Sequence, residues 1–216
     1  MREGYDRAAD QVNTSSDVYM FSCPVLGWDV RIVLWAHGPT SAVRTAAFPA
    51  DEPLDAGATA QAVDVAPTLP RVDAVHSPDS KRCRQTAAVL GREVADDPAL
   101  RGLDHGSWSG RTLDDVGAAD PAGLGAWLTD PDARPHGGES MTDLVARVGN
   151  WLDGRTDPPH ALLAVADAAV VRAAVVHALG APAQALWRVD VAPLSATLLV
   201  GEPGRWSLRS IRPPGR

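Results

Sequence analysis

The sequence predicts an α/β protein, a three-layer sandwich whose largely parallel central sheet is flanked by helices. Three observations carry that expectation. Short β-branched and apolar runs alternate with stretches of helical periodicity along most of the chain. The first run, Val30 to about Trp35, is apolar almost throughout, the pattern of a strand covered on both faces. A later run, Ala161 to Ala166, leads into Asp167 and then into the apolar stretch Val170 to Leu179, as a central strand does when it feeds the helix behind it.

Taken in order, residues 1–28 read as a polar N-terminal arm, in which Pro24 and Gly27 argue against a continuous element. A single domain follows over 29–216. After the first strand, residues 41–70 hold a loop with Pro49 and Pro53 and a helix from about Asp55 to Val65. A strand from Val72 to Val75 precedes a helix over Ser80 to Leu90, with Ala87, Val89 and Leu90 on its apolar side. Residues 93–135 are rich in Asp, Gly and Pro and include a short helix from Pro121 to Leu128. Leu144, Val148, Trp151 and Leu152 recur at helical spacing, so Ser140 to Leu152 packs one face on the sheet. Ser140 and Asp143 form its capping-box pattern, and Glu139 beside them reads as structural. Val189 and Val191, Ala196 to Val200, and Trp206 to Ile211 supply the final strands.

Composition narrows the function classes. A chain of 216 residues, 45% hydrophobic, can bury one substantial core. A net charge of −7 without a basic stripe disfavours a nucleic-acid backbone as partner. Cys23 and Cys83 make no disulfide framework, and no Cys/His cluster has metal-ligand spacing, so neither metal nor other cofactor is expected. The apolar runs fall short of the roughly 18 residues of a membrane span. The N-terminus lacks the basic and apolar regions of a secretory signal. The expectation is a cytoplasmic protein with a small-molecule substrate, no nucleic-acid or membrane partner, and homodimer formation left open.

The residues that bear chemistry fall where strands end. His37 lies in Trp35-Ala36-His37-Gly38-Pro39-Thr40, at the carboxyl edge where open α/β sheets bind ligands. Three segments follow: Ser77-Pro78-Asp79-Ser80-Lys81-Arg82-Cys83-Arg84-Gln85-Thr86-Ala87, then Leu103-Asp104-His105-Gly106-Ser107-Trp108-Ser109-Gly110, then Val165-Ala166-Asp167-Ala168-Ala169-Val170-Val171-Arg172. With His136-Gly137-Gly138-Glu139-Ser140, this set resembles the histidine phosphatase superfamily, the phosphoglycerate-mutase-like branch, over roughly residues 30–200. The resemblance implies a cap insertion over the pocket, formed by about 93–135. It also implies a phosphate pocket of two arginines and two histidines, one of which becomes phosphohistidine.

At several of those positions this chain differs. Ala36 stands where the family has an arginine, Asp167 at its second catalytic histidine, and Gly102 at its general-acid glutamate. Val43 replaces an asparagine, and Ala168 and Ala169 replace two glycines; His37 and Arg82 remain. Phosphoryl transfer needs a neutral imidazole nucleophile, cations on the equatorial oxygens and an acid for the leaving group. An ionised Asp167 about 4 Å from a phosphate charge costs roughly 4 kcal/mol per charge pair at an effective dielectric near 20. The expectation is therefore that His37 and Asp167 form an acid–base dyad across the pocket floor, acting on an unphosphorylated metabolite. Arg82 would hold a carboxylate or enolate oxygen of that substrate. Two readings stay open beside it: a phosphomonoesterase working through a phosphohistidine at His37, and a non-catalytic protein that binds a small molecule or a partner.

Thr40 and Arg44 are candidates for the mouth of the pocket, although Arg44 reads equally as a solvated helix residue. His105, in the family's aromatic slot, and His136 are candidate substrate contacts, with a packed or exposed histidine the favoured account of each. Trp108 is a candidate apolar wall, as is Trp127, with packing beneath the cap the favoured account of both. Cys83 reads as packing.

Overall fold

The structure, a computed structural model, describes residues 30–156 and 161–213, so the arm expected over 1–28 lies outside the described residues. Six strands form one sheet: β1 (Val30–Ala36), β2 (Ala74–Ser77), β3 (Ala95–Asp96), β4 (Ala161–Ala166), β5 (Ala196–Glu202) and β6 (Arg205–Arg212). Their spatial order is β3-β2-β4-β1-β5-β6. The first four in that order are parallel, while β5 and β6 run antiparallel at one edge.

The apolar runs of β1 and β4 are explained by burial on both sides. Along β1, Ile32, Leu34 and Ala36 enter one core while Val33 and Trp35 enter another. Along β4, Leu162, Ala164 and Ala166 join the first core, and Leu163 and Val165 the second. Each fully buried aliphatic side chain of this size contributes about 1.5–3 kcal/mol. Against the first face lie α6 (Met141–Asp153) and α7 (Ala168–Ala178), through Leu144, Val148, Trp151 and Val170. Against the second lie α2 (Ala58–Val65) and α3 (Lys81–Ala88), through Ala62, Val65, Cys83 and Ala87. This is the expected three-layer α/β arrangement. Among the described residues, no helix is long and apolar enough to cross a membrane.

Differences from the expected elements have local causes. The expected strand at Val189 and Val191 does not form. A 3-10 turn, Ala183–Arg188, precedes these residues, and the connection is tied to β1 by hydrogen bonding of the Leu194 N–H to the Ala36 carbonyl (3.1 Å). Val191 is buried without pairing, which is what its apolar character reflected. The 93–135 region holds β3 and the helix α4 (Leu113–Ala119) in addition to the anticipated helix, α5 (Pro121–Thr129). A short helix, α1 (Ser41–Arg44), follows the His37 loop. Ser140 caps α6 as expected: its hydroxyl accepts from Asp143 N–H (3.1 Å) while the Asp143 carboxylate accepts from Ser140 N–H (3.1 Å).

Candidate functional site

Strand register brings the site together. Ala36 pairs with Ala166 at the carboxyl ends of neighbouring parallel strands, so His37 and Asp167 leave the sheet side by side, and the His37 N–H donates to the Ala166 carbonyl (3.0 Å). On the other side of β4, β2 leads into α3 and delivers Arg82 to the same edge. Asp167 is the N-cap of α7 by position, but its side chain does not cap the helix. The carboxylate turns instead toward Arg82 and His37.

That contact is close and buried. Arg82 Nε donates to Asp167 Oδ1 (2.6 Å) and Arg82 Nη2 to Oδ2 (2.7 Å), a forked charge-assisted pair. A third guanidinium nitrogen, Nη1, donates to the Ala50 carbonyl (2.8 Å). His37 Nε2 lies 3.1 Å from Asp167 Oδ1. Its Nδ1 lies 2.7 Å from the Gly38 carbonyl oxygen, so each ring nitrogen has a partner within hydrogen-bond distance. Burial by itself would raise the Asp167 carboxyl, but the hydrogen bonds from Arg82 and His37 outweigh it and hold the group well below the usual carboxylate range. Burial likewise pushes the Cys83 thiol up, out of reach of a reactive thiolate, which leaves this cysteine to packing.

Gly102 completes the arrangement by lacking a side chain. A Cβ at this position would collide with the Asp167 carboxylate and crowd Arg82 Nη2 at 3.3 Å. The loop that carries it is pinned by Arg147, which donates to the carbonyls of Ala99 (2.7 Å) and Arg101 (3.0 Å). Arg147 is itself held by two hydrogen bonds to Glu139 (2.8 and 2.7 Å), confirming a structural place for that glutamate.

Above Asp167 opens a cavity of about 470 Å³, a volume typical of small-molecule sites. His37, His105, Asp167 and Arg172 line it among many more apolar side chains, including Phe48, Trp127 and Trp187. His105 is pushed down to about 4, first by burial and then by His136, so its imidazole is neutral at pH 7. Its Nδ1 is buried without a hydrogen-bond partner.

The candidates from sequence divide accordingly. His37, Asp167 and Arg82 come together, and His105 joins them at the cavity wall. Thr40 is buried as the N-cap of α1, with its hydroxyl 3.2 Å from Glu52 Oε1, and Arg44 forms an exposed pair with Asp55 (3.0 Å). Neither lines the cavity. Trp108 packs between Phe48 and His136 behind the wall, at ring-centroid distances of 5.1 Å from each. His136 lies behind that wall as well, its Nδ1 accepting from Gly138 N–H (2.9 Å). Among the residues that line the cavity, Phe48, Leu113, Trp187 and Arg172 were not singled out from sequence; for Arg172 the available signal was a single arginine inside the otherwise apolar run Ala-Ala-Val-Val-Arg-Ala-Ala-Val-Val.

Comparison with known proteins agrees with the fold. Glucosyl-3-phosphoglycerate phosphatase of Mycolicibacterium vanbaalenii is 34% identical over 121 residues, 49% of this chain and 53% of that protein. The Mycobacterium tuberculosis protein of the same name is 39% identical over 75 residues, 33% of this chain and 34% of its own. The matches thus span about half of the first relative's length and a third of the second's. Among solved structures, mycobacterial glucosyl-3-phosphoglycerate phosphatase with VO3 superposes at a TM-score of 0.73 and 27% identity, covering 84% of this chain and 98% of that one. Mycobacterial hydrolase 1 superposes at 0.75 and 26% identity, covering 86% and 100%. The family profile itself matches residues 32–213, and the chain belongs to the histidine phosphatase superfamily, branch 1.

Proposed function

We propose that this chain binds a small unphosphorylated metabolite in the cavity above Asp167 and does not transfer phosphoryl groups through His37. One observation carries the proposal. The Asp167 carboxylate occupies, from within the chain, the contacts that phosphoryl transfer needs: the Arg82 fork and the Nε2 edge of His37. A phosphate dianion would have to expel a carboxylate whose separation from its buried partner costs about 3–5 kcal/mol. It would then meet that same negative charge nearby. Arg82 serves Asp167 in this reading rather than a substrate oxygen.

A second reading has its own support. The His37–Asp167 pair, 3.1 Å apart, lines the cavity, so the metabolite bound there could exchange a proton with it. In that case the protein is an acid–base enzyme acting on the same unphosphorylated class of compound.

The test is inorganic phosphate release from a broad phosphomonoester panel that includes glucosyl-3-phosphoglycerate. Wild type is compared with His37→Ala and with a variant carrying Ala36→Arg, Gly102→Glu and Asp167→His together. The expected outcome is no release from wild type and measurable release from the triple variant. Release by wild type that disappears in His37→Ala would overturn the proposal and make the chain a phosphatase like its named relatives.

A further inference from the structure

We infer that the cavity is a site for an organic monocarboxylate with an aromatic or bulky apolar body, its carboxylate taken by Arg172. The inference rests on the reading above, that Asp167 fills the seat a phosphate would need. Arg172 is the only arginine or lysine lining the cavity among the described residues. Every other buried arginine near the site is committed: Arg82 to Asp167 and Arg147 to Glu139. Arg172 has no carboxylate or hydrogen-bond partner among the described residues, and its Nε is buried and unpaired. A half-buried guanidinium that lacks a partner among the described residues is set to receive one from a ligand, and its planar fork matches a carboxylate.

The charge count selects the class of anion. Asp167 and Arg82 neutralise one another, which leaves a single uncompensated positive group on the wall. One cation beside a buried carboxylate suits a single negative charge better than the two of a phosphomonoester. At the start of α7, the N–H groups of Ala168 and Ala169, two residues that line the cavity, have no side-chain cap, while those of Val170 and Val171 are taken by the Asp167 carbonyl (3.0 and 3.1 Å).

The rest of the cavity describes the ligand's body. Val43, Leu113 and Trp187 are three of the large apolar side chains that remain exposed on this protein, and all three line the cavity. Behind them, Trp127 meets Trp187 edge-on at 4.6 Å and Phe48 at 5.3 Å, an aromatic wall rather than a sugar-binding surface of hydroxyls and amides. Two polar atoms in that wall, His105 Nδ1 and Trp127 Nε1, are buried without partners although both residues are more than nine-tenths buried. Both atoms have essentially no exposed surface, so neither is offered to a ligand, and the body's contacts along this wall are apolar and aromatic.

The experiment titrates the full chain with three matched compounds, 2-naphthylacetate, 2-naphthaleneethanol and 2-naphthyl phosphate, by calorimetry and by tryptophan fluorescence. The acid should bind about tenfold or more tightly than the neutral alcohol, as expected for one charge-assisted fork. Arg172→Gln should abolish that preference while leaving alcohol binding in place, and Arg172→Lys should keep part of it. Equal binding of acid and alcohol to wild type would overturn the inference, and so would no saturable binding of any compound. The wild-type comparison decides the matter even if a variant folds poorly. Tighter binding of the phosphate, with release of phosphate that depends on His37, would instead sink the reading on which the inference rests.

Discussion

At the residue scale, the site depends on an atom that is missing. Gly102 has no Cβ, and the space is filled by the Asp167 carboxylate, fixed in turn by the Arg82 fork. The neighbouring loop cannot drift away because Arg147 holds it. Gly102→Ala should therefore cost about 1–3 kcal/mol of stability, the usual range for overpacking a well-filled interior, read from the denaturant midpoint. Gly125, in α5, is the control, because a methyl group added there would meet nothing within 4 Å. Gly125→Ala should be neutral or stabilising by up to about 1 kcal/mol. The main actors here were legible in the sequence: His37, Arg82 and Asp167 stand at the ends of elements whose order was plain. Which partner each would choose was not, because a carboxylate at a strand end can cap its own helix or pair across the sheet. Only the fold, with β2 on the far side of β4 from β1, decides that Arg82 is within reach.

At the scale of the element, legibility follows burial. β1 and β4 were readable because both faces are covered and the apolar run is unbroken. β3 was not, being two exposed residues that pair with β2 only at its end. α4 was missed because a single side chain, Val116, is buried along its length, too few to set up a period. α6 is the opposite case, with an apolar stripe and a reciprocal cap. The Ser140 side chain is buried and its hydroxyl accepts from the Asp143 N–H (3.1 Å). Ser140→Ala should cost about 1 kcal/mol. For a protein of this size the matching fall in Tm is roughly 2–4 °C, measurable by calorimetry.

At the scale of the whole molecule, the buried histidines set an acid limit. His105 is held down to about 4 by burial and by His136, whereas in the unfolded chain it titrates near the ordinary value of 6.5. Between those values the unfolded state binds a proton that the native state refuses, so stability falls as pH drops through that window. The loss due to His105 is roughly 3 kcal/mol and is complete once pH falls below its native value. His136, also lowered by burial, acts in the same direction. Asp167 acts in the same direction at lower pH: its pair contributes stability that is full above the ordinary carboxylate range, declines as pH falls through that range, and is gone only below the depressed native value. His105→Phe should flatten the pH dependence of the urea midpoint between about pH 6.5 and 4, leaving the smaller share of His136. An unchanged slope would mean that His105 does not stay neutral in the fold.

The missing Cβ of Gly102 also imposes an order on change. While aspartate stands at 167, any side chain at 102 runs into it, so an acid cannot be introduced there first. Replacing Asp167 first is open sterically, although it strips Arg82 of its partner. The two positions therefore work as a ratchet: glycine at 102 tolerates either neighbour, but aspartate at 167 tolerates only glycine. A route from a pocket with a glutamate at 102 to the present one runs through the glycine, and the return route must begin at the aspartate.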